Sequence, residues 1–183
     1  LIVVDMQNDF IDGSLGSSEA QNIVPNVINK IKEYENELIY FTKDTHFDDY
    51  LDTPEGNKLP VKHCIYGTDG WEIPDEIYNA GKDKSPESIL SDIYDKPTFG
   101  CTDLADDVRE YYLWRYSNGE KDELEIEMIG LCTDICVISN ALLIRAVLPD
   151  AMIKVYSSCC AGVTPETHEA ALKTMQMCQI DVI

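Results

Sequence analysis

Basic residues are scarce in this chain of 183 residues. Fourteen lysines and arginines stand against thirty-four aspartates and glutamates, which leaves a formal net charge of -20. A field of that sign repels nucleic acid and anionic membrane surfaces. It also disfavours dianionic substrates unless a local basic pocket shields them. The sequence therefore argues against a nucleic-acid or membrane partner.

Long apolar runs are missing as well. No stretch reaches the roughly 18 residues of a membrane span, and the first residues lack the basic-then-apolar pattern of a secretion signal. The chain begins at Leu1 inside an apolar run, which is compatible with a few preceding residues. Seven cysteines, an odd number without a secretion signal, favour reduced thiols and a cytoplasmic protein. The adjacent Cys159 and Cys160 are expected to be small buried side chains.

Internal repeats, low-complexity segments and interdomain linkers are also absent, so residues 1–183 are expected to form one domain. Apolar, β-branched runs predict strands at 1–5, 38–44, 89–97, 124–131, 151–160 and 180–183. Helical spacing predicts helices at 22–35, 102–116, 134–148 and 164–178, the last capped by Thr164 with Pro165 in its first turn. The alternation predicts an α/β fold of three layers, with helices on both faces of a six-stranded, mostly parallel sheet. The helix at 134–148 is apolar on nearly every face and is expected to lie buried in the middle of the fold.

Acidic, basic and thiol side chains lie at or just after the ends of four of the predicted strands. Ligands of such sheets bind beyond the carboxyl ends of the strands. Asp5 ends the first strand, Asp44 ends the second and His46 follows it, Lys96 lies at the end of the third, and the segment 132–136 follows the fourth. These residues are expected to meet at one edge of the sheet.

The stretch GLCTDICV holds two cysteines four residues apart. With Thr133 as the expected N-cap, Cys136 lies in the first helical turn, where the helix dipole lowers a thiol's pKa. Asp5 can then serve as base, Lys96 as organising cation and the backbone N–H groups as oxyanion donors. A purely structural cysteine in an apolar helix remains an equal alternative. Cys132 is expected to be a small buried side chain, since a zinc site needs a second ligand pair and a redox pair needs Cys-x-x-Cys spacing.

The loop at about 44–70 is rich in Asp, Pro and Gly and has no periodicity, which is typical of functional loops. It contains two of the three histidines, and Asp44 and His46 point to the same side of an extended chain. Imidazole and carboxylate ligands together suit zinc, iron or manganese better than calcium. From the residues alone, an acidic loop with scattered histidines remains the alternative to a metal site.

Six stretches, in order along nearly the whole chain, resemble the isochorismatase-like cysteine hydrolase superfamily, and within it the nicotinamidase/pyrazinamidase group. They are VVDMQNDF, TKDTH, HCIYGTDGWEI, DKPTFG, GLCTDICV and CAGVTPETHEAAL. The resemblance implies a catalytic triad of Asp5, Lys96 and Cys136. It also implies a cis peptide before Cys132, which aims the backbone N–H groups of Cys132 and Cys136 at the substrate oxygen.

The resemblance further implies one divalent metal ion, most simply zinc, with iron or manganese as alternatives. Its ligands would be Asp44, His46, His63 and a residue between the two histidines. We choose Glu55 from its spacing and the surrounding PEG turn, with Asp52 as the competitor. Phe10 matches the aromatic that flanks the substrate ring.

The implied activity is hydrolysis of nicotinamide to nicotinate and ammonia through a thioester on the cysteine. It would belong to NAD salvage in the cytoplasm, and the enzyme would be a homo-oligomer. Two alternatives stay open: a hydrolase of another small amide or ureide, and a metal- or thiol-binding protein that retains the fold. The chain departs from the family at Lys62, at Cys101 and by lacking an aromatic among residues 59–61. Trp71 is expected in the core or a lid, and His168 is expected to be structural.

Overall fold

The computed structural model describes residues 1–35, 38–82, 93–119 and 125–183. Six strands form one sheet in the order β3-β2-β1-β4-β5-β6, and all neighbours in it are parallel. The strands are β1 (Ile2–Val4), β2 (Tyr40–Asp44), β3 (Ile93–Lys96), β4 (Glu125–Leu131), β5 (Met152–Ala161) and β6 (Asp181–Val182). The helices are α1 (Asn8–Ile11), α2 (Ser18–Lys32), α3 (Asp75–Gly81), α4 (Thr102–Ser117), α5 (Ile138–Val147) and α6 (Pro165–Met177).

The predicted three-layer α/β fold is confirmed. Successive side chains of a strand point to opposite faces of the sheet, so β1 divides the core in two. Ile2 and Val4 pack with α4, α5 and α6, whereas Leu1 and Val3 pack with α2 and α3. The part of the predicted third strand that covers Ile89 to Asp92 lies outside the described residues. The short helices α1 and α3 were not predicted.

The predicted helix at 134–148 differs in two ways from expectation. It begins with a π-helical turn at Thr133–Val137 before α5. It is also not buried on every side: Asn140, Ala141 and Ile144 face the sheet, while its outer face is half-buried. The helix lies on one face of the sheet beside α4 and α6, so its apolar outer residues exceed what the core requires.

The reversal of strand order lies between β1 and β4. β1 pairs with β2 on one side and with β4 on the other, in a register that matches Val4 with Gly130. Gly130 has a φ of +119°, and a Cβ there would collide with the backbone carbonyl of Val4. Glycine is therefore required for the two strands to approach. Such a switch point is where parallel sheets bind ligands, and it sets Asp5 beside the turn that follows β4.

The helix α6 starts as predicted. The hydroxyl of Thr164 accepts the N–H of Thr167, and Thr167 in turn caps the backbone of Thr164. Pro165 occupies the first helical position. This cap fixes the start of α6 close to the turn at 133–137, which it contacts.

All seven cysteines are free thiols, and Cys159 and Cys160 are buried as predicted. Within the described ranges, no helix combines the length and the apolar character needed to cross a membrane.

Candidate active site

Asp5 is held rigidly at the end of β1. Its backbone has a φ of 45°, in the left-handed region where Asp is more common than most residues. Its N–H donates to the carbonyl of Thr42 at 3.1 Å, and the Thr42 hydroxyl donates to Asp5 Oδ1 at 2.6 Å. Both residues are completely buried. The second carboxylate oxygen, Oδ2, is therefore free to face the centre of the site.

Lys96 connects three groups at that centre. It ends β3 in register with Asp44 of β2, and its side chain is only 1% exposed. Its Nζ lies 2.6 Å from Asp5 Oδ2, 3.4 Å from Cys136 Sγ and 3.5 Å from Asp44 Oδ1. A buried ammonium needs such partners, because its desolvation is otherwise very costly. The proximity of Asp5, Cys136 and Asp44 outweighs burial and holds the pKa of Lys96 above its ordinary value, so it stays charged.

Cys136 lies in the π-helical turn that follows β4. The peptide bond between Leu131 and Cys132 is cis, and Cys132 is the residue that precedes the turn. The expectation that Thr133 caps the helix is wrong. Thr133 is the first residue of the turn, and its hydroxyl is hydrogen-bonded to His168 Nδ1 at 2.8 Å. The structural role predicted for His168 is therefore to tie α6 to the turn that contains Cys136.

The expectation of a lowered thiol pKa at Cys136 is also corrected. Burial, followed by the negative charge of Asp5, raises the pKa of Cys136 well above its ordinary value. The resting thiol is therefore protonated and needs a base. Burial likewise raises the pKa of Asp5, although Lys96 opposes the shift. A carboxylate with a raised pKa is a stronger proton acceptor than an ordinary aspartate.

Asn140 fixes the turn of Cys136 to the loop that follows Lys96. It is completely buried. Its side-chain carbonyl accepts the N–H of Cys101 at 2.8 Å, and its amide donates to the carbonyls of Cys136 at 2.8 Å and Phe99 at 3.2 Å. One side chain thus ties α5, the turn of Cys136 and the 97–101 loop together.

A second cluster lies next to Lys96 and contains the four residues assigned to metal binding. A bridge between His46 and Ile65 brings the two histidine rings to a centroid distance of 4.8 Å. Asp44 Oδ2 lies 2.9 Å from His46 Nε2 and 3.5 Å from His63 Nε2. Glu55 Oε1 lies 3.7 Å and 3.9 Å from the same nitrogens. Its competitor, Asp52, is exposed at the end of a short 3-10 helix, Tyr50–Asp52.

The donor atoms of this cluster suit a metal ion. Asp44, His46 and His63 each offer one ligand atom, and these atoms lie within 4.8 Å of one another. His63 Nδ1 is 2.8 Å from the carbonyl of Val61, which leaves Nε2 as the lone-pair nitrogen facing the cluster. His46 Nε2 is buried and has no hydrogen bond of acceptable geometry to a described residue. A buried nitrogen of this kind is normally satisfied, and a metal ion would satisfy it.

Gln7 holds the backbone of Asp44 in place. Its side-chain carbonyl accepts the N–H of Asp44 at 2.7 Å, and its amide donates to the carbonyls of Asp44 at 2.8 Å and Trp71 at 2.9 Å. Burial alone would raise the pKa of Asp44, but the two histidines and Lys96 outweigh it and hold this pKa far below its usual range. Asp44 is therefore ionised at neutral pH.

A cavity of about 810 Å³ joins the two clusters to the surface. Cys136, Asp44, Glu55 and His63 line its base together with Phe10, whose ring centroid lies 5.6 Å from that of His63. Cys132 was expected to be a small buried side chain, but it is half-buried and lines the cavity. Trp71 is part of the core, as expected: its Nε1 donates to Thr45, and Lys43 lies over its ring.

Sequence reasoning missed the supporting residues Gln7, Thr42 and Asn140. Gln7 and Thr42 lie within the stretches VVDMQNDF and TKDTH, but no role was assigned to them there, and Asn140 lies outside all six stretches. The available signal was polarity at a position that the pattern predicts to be buried, as with Thr42 in LIYFTKD and Asn140 in an otherwise apolar helix. A buried polar side chain is normally hydrogen-bonded, so such positions indicate a network even when its partners are unknown.

Two curated proteins are similar to this chain over its whole length. The nicotinamidase of Schizosaccharomyces pombe is 28% identical over 219 residues, covering 100% of this chain and 91% of that protein. The nicotinamidase/pyrazinamidase of Mycobacterium tuberculosis is 25% identical over 195 residues, covering 100% and 97%.

Solved structures are also similar to this chain over nearly its whole length. The pyrazinamidase of Pyrococcus horikoshii in complex with zinc superposes with a TM-score of 0.70 at 27% identity, covering 100% of this chain and 96% of that one. The PncA structure from Bacillus subtilis, at 24% identity, has a TM-score of 0.74 and covers 99% and 96%, a likeness of fold. The model of the isochorismatase domain matches residues 1–183, and the chain therefore belongs to the isochorismatase family.

Proposed function

We propose that this enzyme hydrolyses nicotinamide to nicotinate and ammonia, with Asp5, Lys96 and Cys136 as its catalytic residues. The observation that carries the proposal is the position of Lys96, whose Nζ is within 3.5 Å of a buried acid, a buried thiol and the carboxylate of a metal-ligand cluster. A structural cysteine needs no such neighbours. The similarity to nicotinamidases of two organisms supports the same activity.

The cavity can hold a pyridine carboxamide in one orientation. Cys136 and Phe10 line it together with three members of the Asp44, His46, Glu55 and His63 cluster. Lys96 Nζ lies 3.4 Å from Cys136 Sγ and 3.5 Å from Asp44 Oδ1, so the thiol and the cluster are close neighbours. A carboxamide directed at Cys136 leaves the ring nitrogen directed at the cluster. When bound to these four residues, a divalent metal ion supplies a Lewis acid for that nitrogen. The neutral amide also avoids the repulsion that the net charge of -20 imposes on anions.

The first half of the reaction forms a thioester. Asp5 accepts the thiol proton of Cys136, and Lys96 stabilises the charged pair. The sulfur then attacks the carboxamide carbon, while the backbone N–H groups of Cys132 and Cys136 stabilise the oxyanion. Asp5 returns its proton to the amide nitrogen, the carbon–nitrogen bond breaks and ammonia leaves.

The second half regenerates the enzyme. Asp5 takes a proton from water as the water oxygen attacks the thioester carbon. The carbon–sulfur bond breaks, nicotinate forms, and Cys136 recovers its proton. Asp5 thus acts as base and acid in turn, a role that suits a carboxyl whose pKa burial has raised.

Zinc is the metal ion that we propose for the cluster. Two imidazoles with two carboxylates suit zinc, while iron and manganese also accept mixed nitrogen and oxygen ligands. The related pyrazinamidase of Pyrococcus horikoshii was solved in complex with zinc. The cluster also favours nicotinamide over a ureide or aliphatic amide, because these substrates offer no ring nitrogen to a metal.

We further place this activity in the cytoplasm, in NAD salvage, and in a homo-oligomer. Seven free thiols suit a reducing compartment. Leu113, Trp114 and Tyr116 of α4 are exposed, as expected for residues that a second subunit would cover. Sedimentation measurements would test the oligomer.

The deciding experiment is ammonia release from nicotinamide by the purified protein. We expect turnover by the wild type, loss of at least a thousandfold in Cys136→Ala, and loss after chelation that added zinc reverses. Cys178→Ala is the matched control, because this thiol follows α6 and does not line the cavity. Activity that survives in Cys136→Ala would exclude the thioester. A wild type that releases no ammonia from nicotinamide would exclude the substrate.

A further inference from the structure

The cavity is much larger than the proposed substrate. Its volume of about 810 Å³ lies in the upper part of the range of roughly 300–1,000 Å³ that is usual for sites of drug-sized ligands. Nicotinamide is a single ring with one carboxamide. Bound at the base between Cys136 and the metal-ligand cluster, it leaves the outer part of the cavity unfilled.

That outer part is apolar. It is lined by Leu15, Leu59, Phe99 and Val163, which we call the apolar mouth. Leu59 is 37%, Phe99 45% and Val163 61% exposed. Single exposed apolar residues are common, but a group of them around one opening marks a binding surface.

Charge is sparse around the mouth. Within the part of the chain that the structure describes, the charged residues that line the cavity are Asp44 and Glu55 at the base and Lys58 at the rim. Asp44 and Glu55 belong to the metal-ligand cluster, and Lys58 is exposed with a long apolar stem. A ligand bound in the outer part therefore gains affinity mainly from dispersion contacts and from the burial of apolar surface.

We propose that the substrates of this enzyme include pyridine carboxamides with an apolar substituent at ring position 5, and that the substituent binds in the apolar mouth. The inference rests on the proposed function, because it assumes that the carboxamide lies at Cys136 and the ring nitrogen at the metal-ligand cluster. Position 5 is adjacent to neither of these anchors. A substituent there is directed away from both, toward the part of the cavity that nicotinamide leaves unfilled.

The mouth is continuous with the catalytic cavity, and this favours a part of the substrate over another occupant. A bound apolar group gains up to about fourfold in affinity for each methylene that it buries. Because the mouth residues stay partly exposed, we expect a smaller gain per methylene. A butyl group should improve kcat/KM over a methyl group by about tenfold.

The test compares kcat/KM for nicotinamide, 5-methylnicotinamide, 5-butylnicotinamide and 5-(2-methoxyethyl)nicotinamide. The last compound matches the butyl compound in length but carries an ether oxygen. We expect the order butyl, methoxyethyl, methyl, with butyl highest. In Leu59→Asn and Val163→Asn the butyl-to-methyl ratio should fall at least threefold. In Met177→Asn, an exposed position at the end of α6 that does not line the cavity, the ratio should not change.

The outcomes separate the two proposals. If nicotinamide is hydrolysed but kcat/KM falls or stays level with substituent length, the inference is wrong and the proposed function stands. If the mouth variants change the sedimentation coefficient and leave the ratio unchanged, a second copy of the chain covers the mouth, and the inference is again wrong. If only substituted compounds are hydrolysed, the inference stands and nicotinamide is excluded. If none is hydrolysed, both proposals fail.

Discussion

The hydroxyl of Thr42 is the clearest case of one atom supporting the proposed chemistry. It donates to Asp5 Oδ1 at 2.6 Å, and this bond favours the ionised carboxylate. The Asp5 N–H is shared between the Thr42 hydroxyl at 3.2 Å and the Thr42 carbonyl at 3.1 Å, and a valine side chain would leave the carbonyl contact in place. Thr42→Val should therefore change the acid without moving its backbone.

We expect Thr42→Val to lower kcat/KM at pH 7 by about tenfold, since hydrogen bonds to charged groups contribute roughly 1.5–3 kcal/mol. Loss of the bond raises the pKa of Asp5, so the acidic limb of the kcat/KM profile should move to higher pH. Thr68→Val is the matched control, because that hydroxyl is exposed and bonds only the carbonyl of Ile65. A profile that keeps its acidic limb in Thr42→Val would rule out Asp5 as the base.

Tyr40 makes the free energy of unfolding depend on pH in the alkaline range. Burial, followed by the nearby Asp107, raises the pKa of Tyr40 to about 12. Between the ordinary value of about 10 and this one, the folded state binds the phenolic proton and the unfolded state does not. Stability from this group is therefore full below about pH 10 and is lost as the pH rises toward 12.

Tyr40→Phe keeps the ring and removes the titrating hydroxyl. We expect the fall in the free energy of unfolding between pH 10 and 12 to be smaller than in the wild type by about 1–2 kcal/mol. Urea unfolding of both proteins at pH 8, 10, 11 and 12 measures the difference, with pH 8 as the reference for each. Equal losses in the two proteins would show that Tyr40 does not titrate in this interval.

At the scale of secondary-structure elements, Asn140 joins α5 to the loop that carries Phe99. Removing its amide leaves the Cys101 N–H and the Cys136 carbonyl without their partner in a buried region. Each such group costs about 1–3 kcal/mol. Asn140→Ala should therefore lower the free energy of unfolding by about 3 kcal/mol. It should also slow the alkylation of Cys136, because the turn that carries this thiol is no longer held in place.

The control for this variant is Asn118→Ala, which removes an exposed amide bonded to Trp114 at the end of α4. Asn140→Asp keeps the oxygen that accepts the Cys101 N–H and loses the amide that donates to the Cys136 carbonyl. We therefore expect kcat to fall, while the free energy of unfolding falls by less than in Asn140→Ala. An Asn140→Ala protein with unchanged stability and kcat would show that the three bonds do not position the turn.

Most helices and strands were predictable from the sequence, because the spacing of their apolar residues indicates directly which side chains are buried. The start of α6 was predictable from Thr164 and Pro165, whose local chemistry needs no tertiary partner. The start of the helix after β4 was not, because the hydroxyl of Thr133 is engaged by His168 from another element. The prediction of a lowered pKa for Cys136 was wrong for a similar reason. A position in a helix is a local property, whereas the burial of the thiol and the nearby charge of Asp5 come from the tertiary structure.

The candidate site was predictable to a similar degree. The rule that ligands bind beyond strand ends placed Asp5, Asp44 and Lys96 at one edge. Spacing and the PEG turn led to the choice of Glu55 over Asp52, but this needed the resemblance to known enzymes and stayed open. The fold separates them through the short helix at Tyr50–Asp52, which leaves Asp52 exposed and Glu55 facing the histidines.

For the whole molecule, the net charge of -20 is a source of instability. Like charges repel more strongly in the compact state than in the unfolded chain, and salt screens this repulsion. We expect Tm to rise by several degrees when sodium chloride increases from about 10 mM to 150 mM, a range over which the Debye length falls from about 30 Å to 8 Å. Calorimetry at pH 7.5 measures it. A Tm that falls with salt would mean that attractive ion pairs dominate.

The pairing of β1 with β4 also determines when a refolding chain becomes active. Val4 lies beside Gly130 in the finished sheet, although the two are among the most distant positions along the chain to be paired. Closing so long a loop is slow, because its entropy is lost before the contacts form. Local units such as α6 and the β4–β5 pair can assemble earlier. Asp5 and Cys136 meet only when the first strand inserts between β2 and β4, so the return of hydrolysis would report the last docking event of folding rather than the initial collapse.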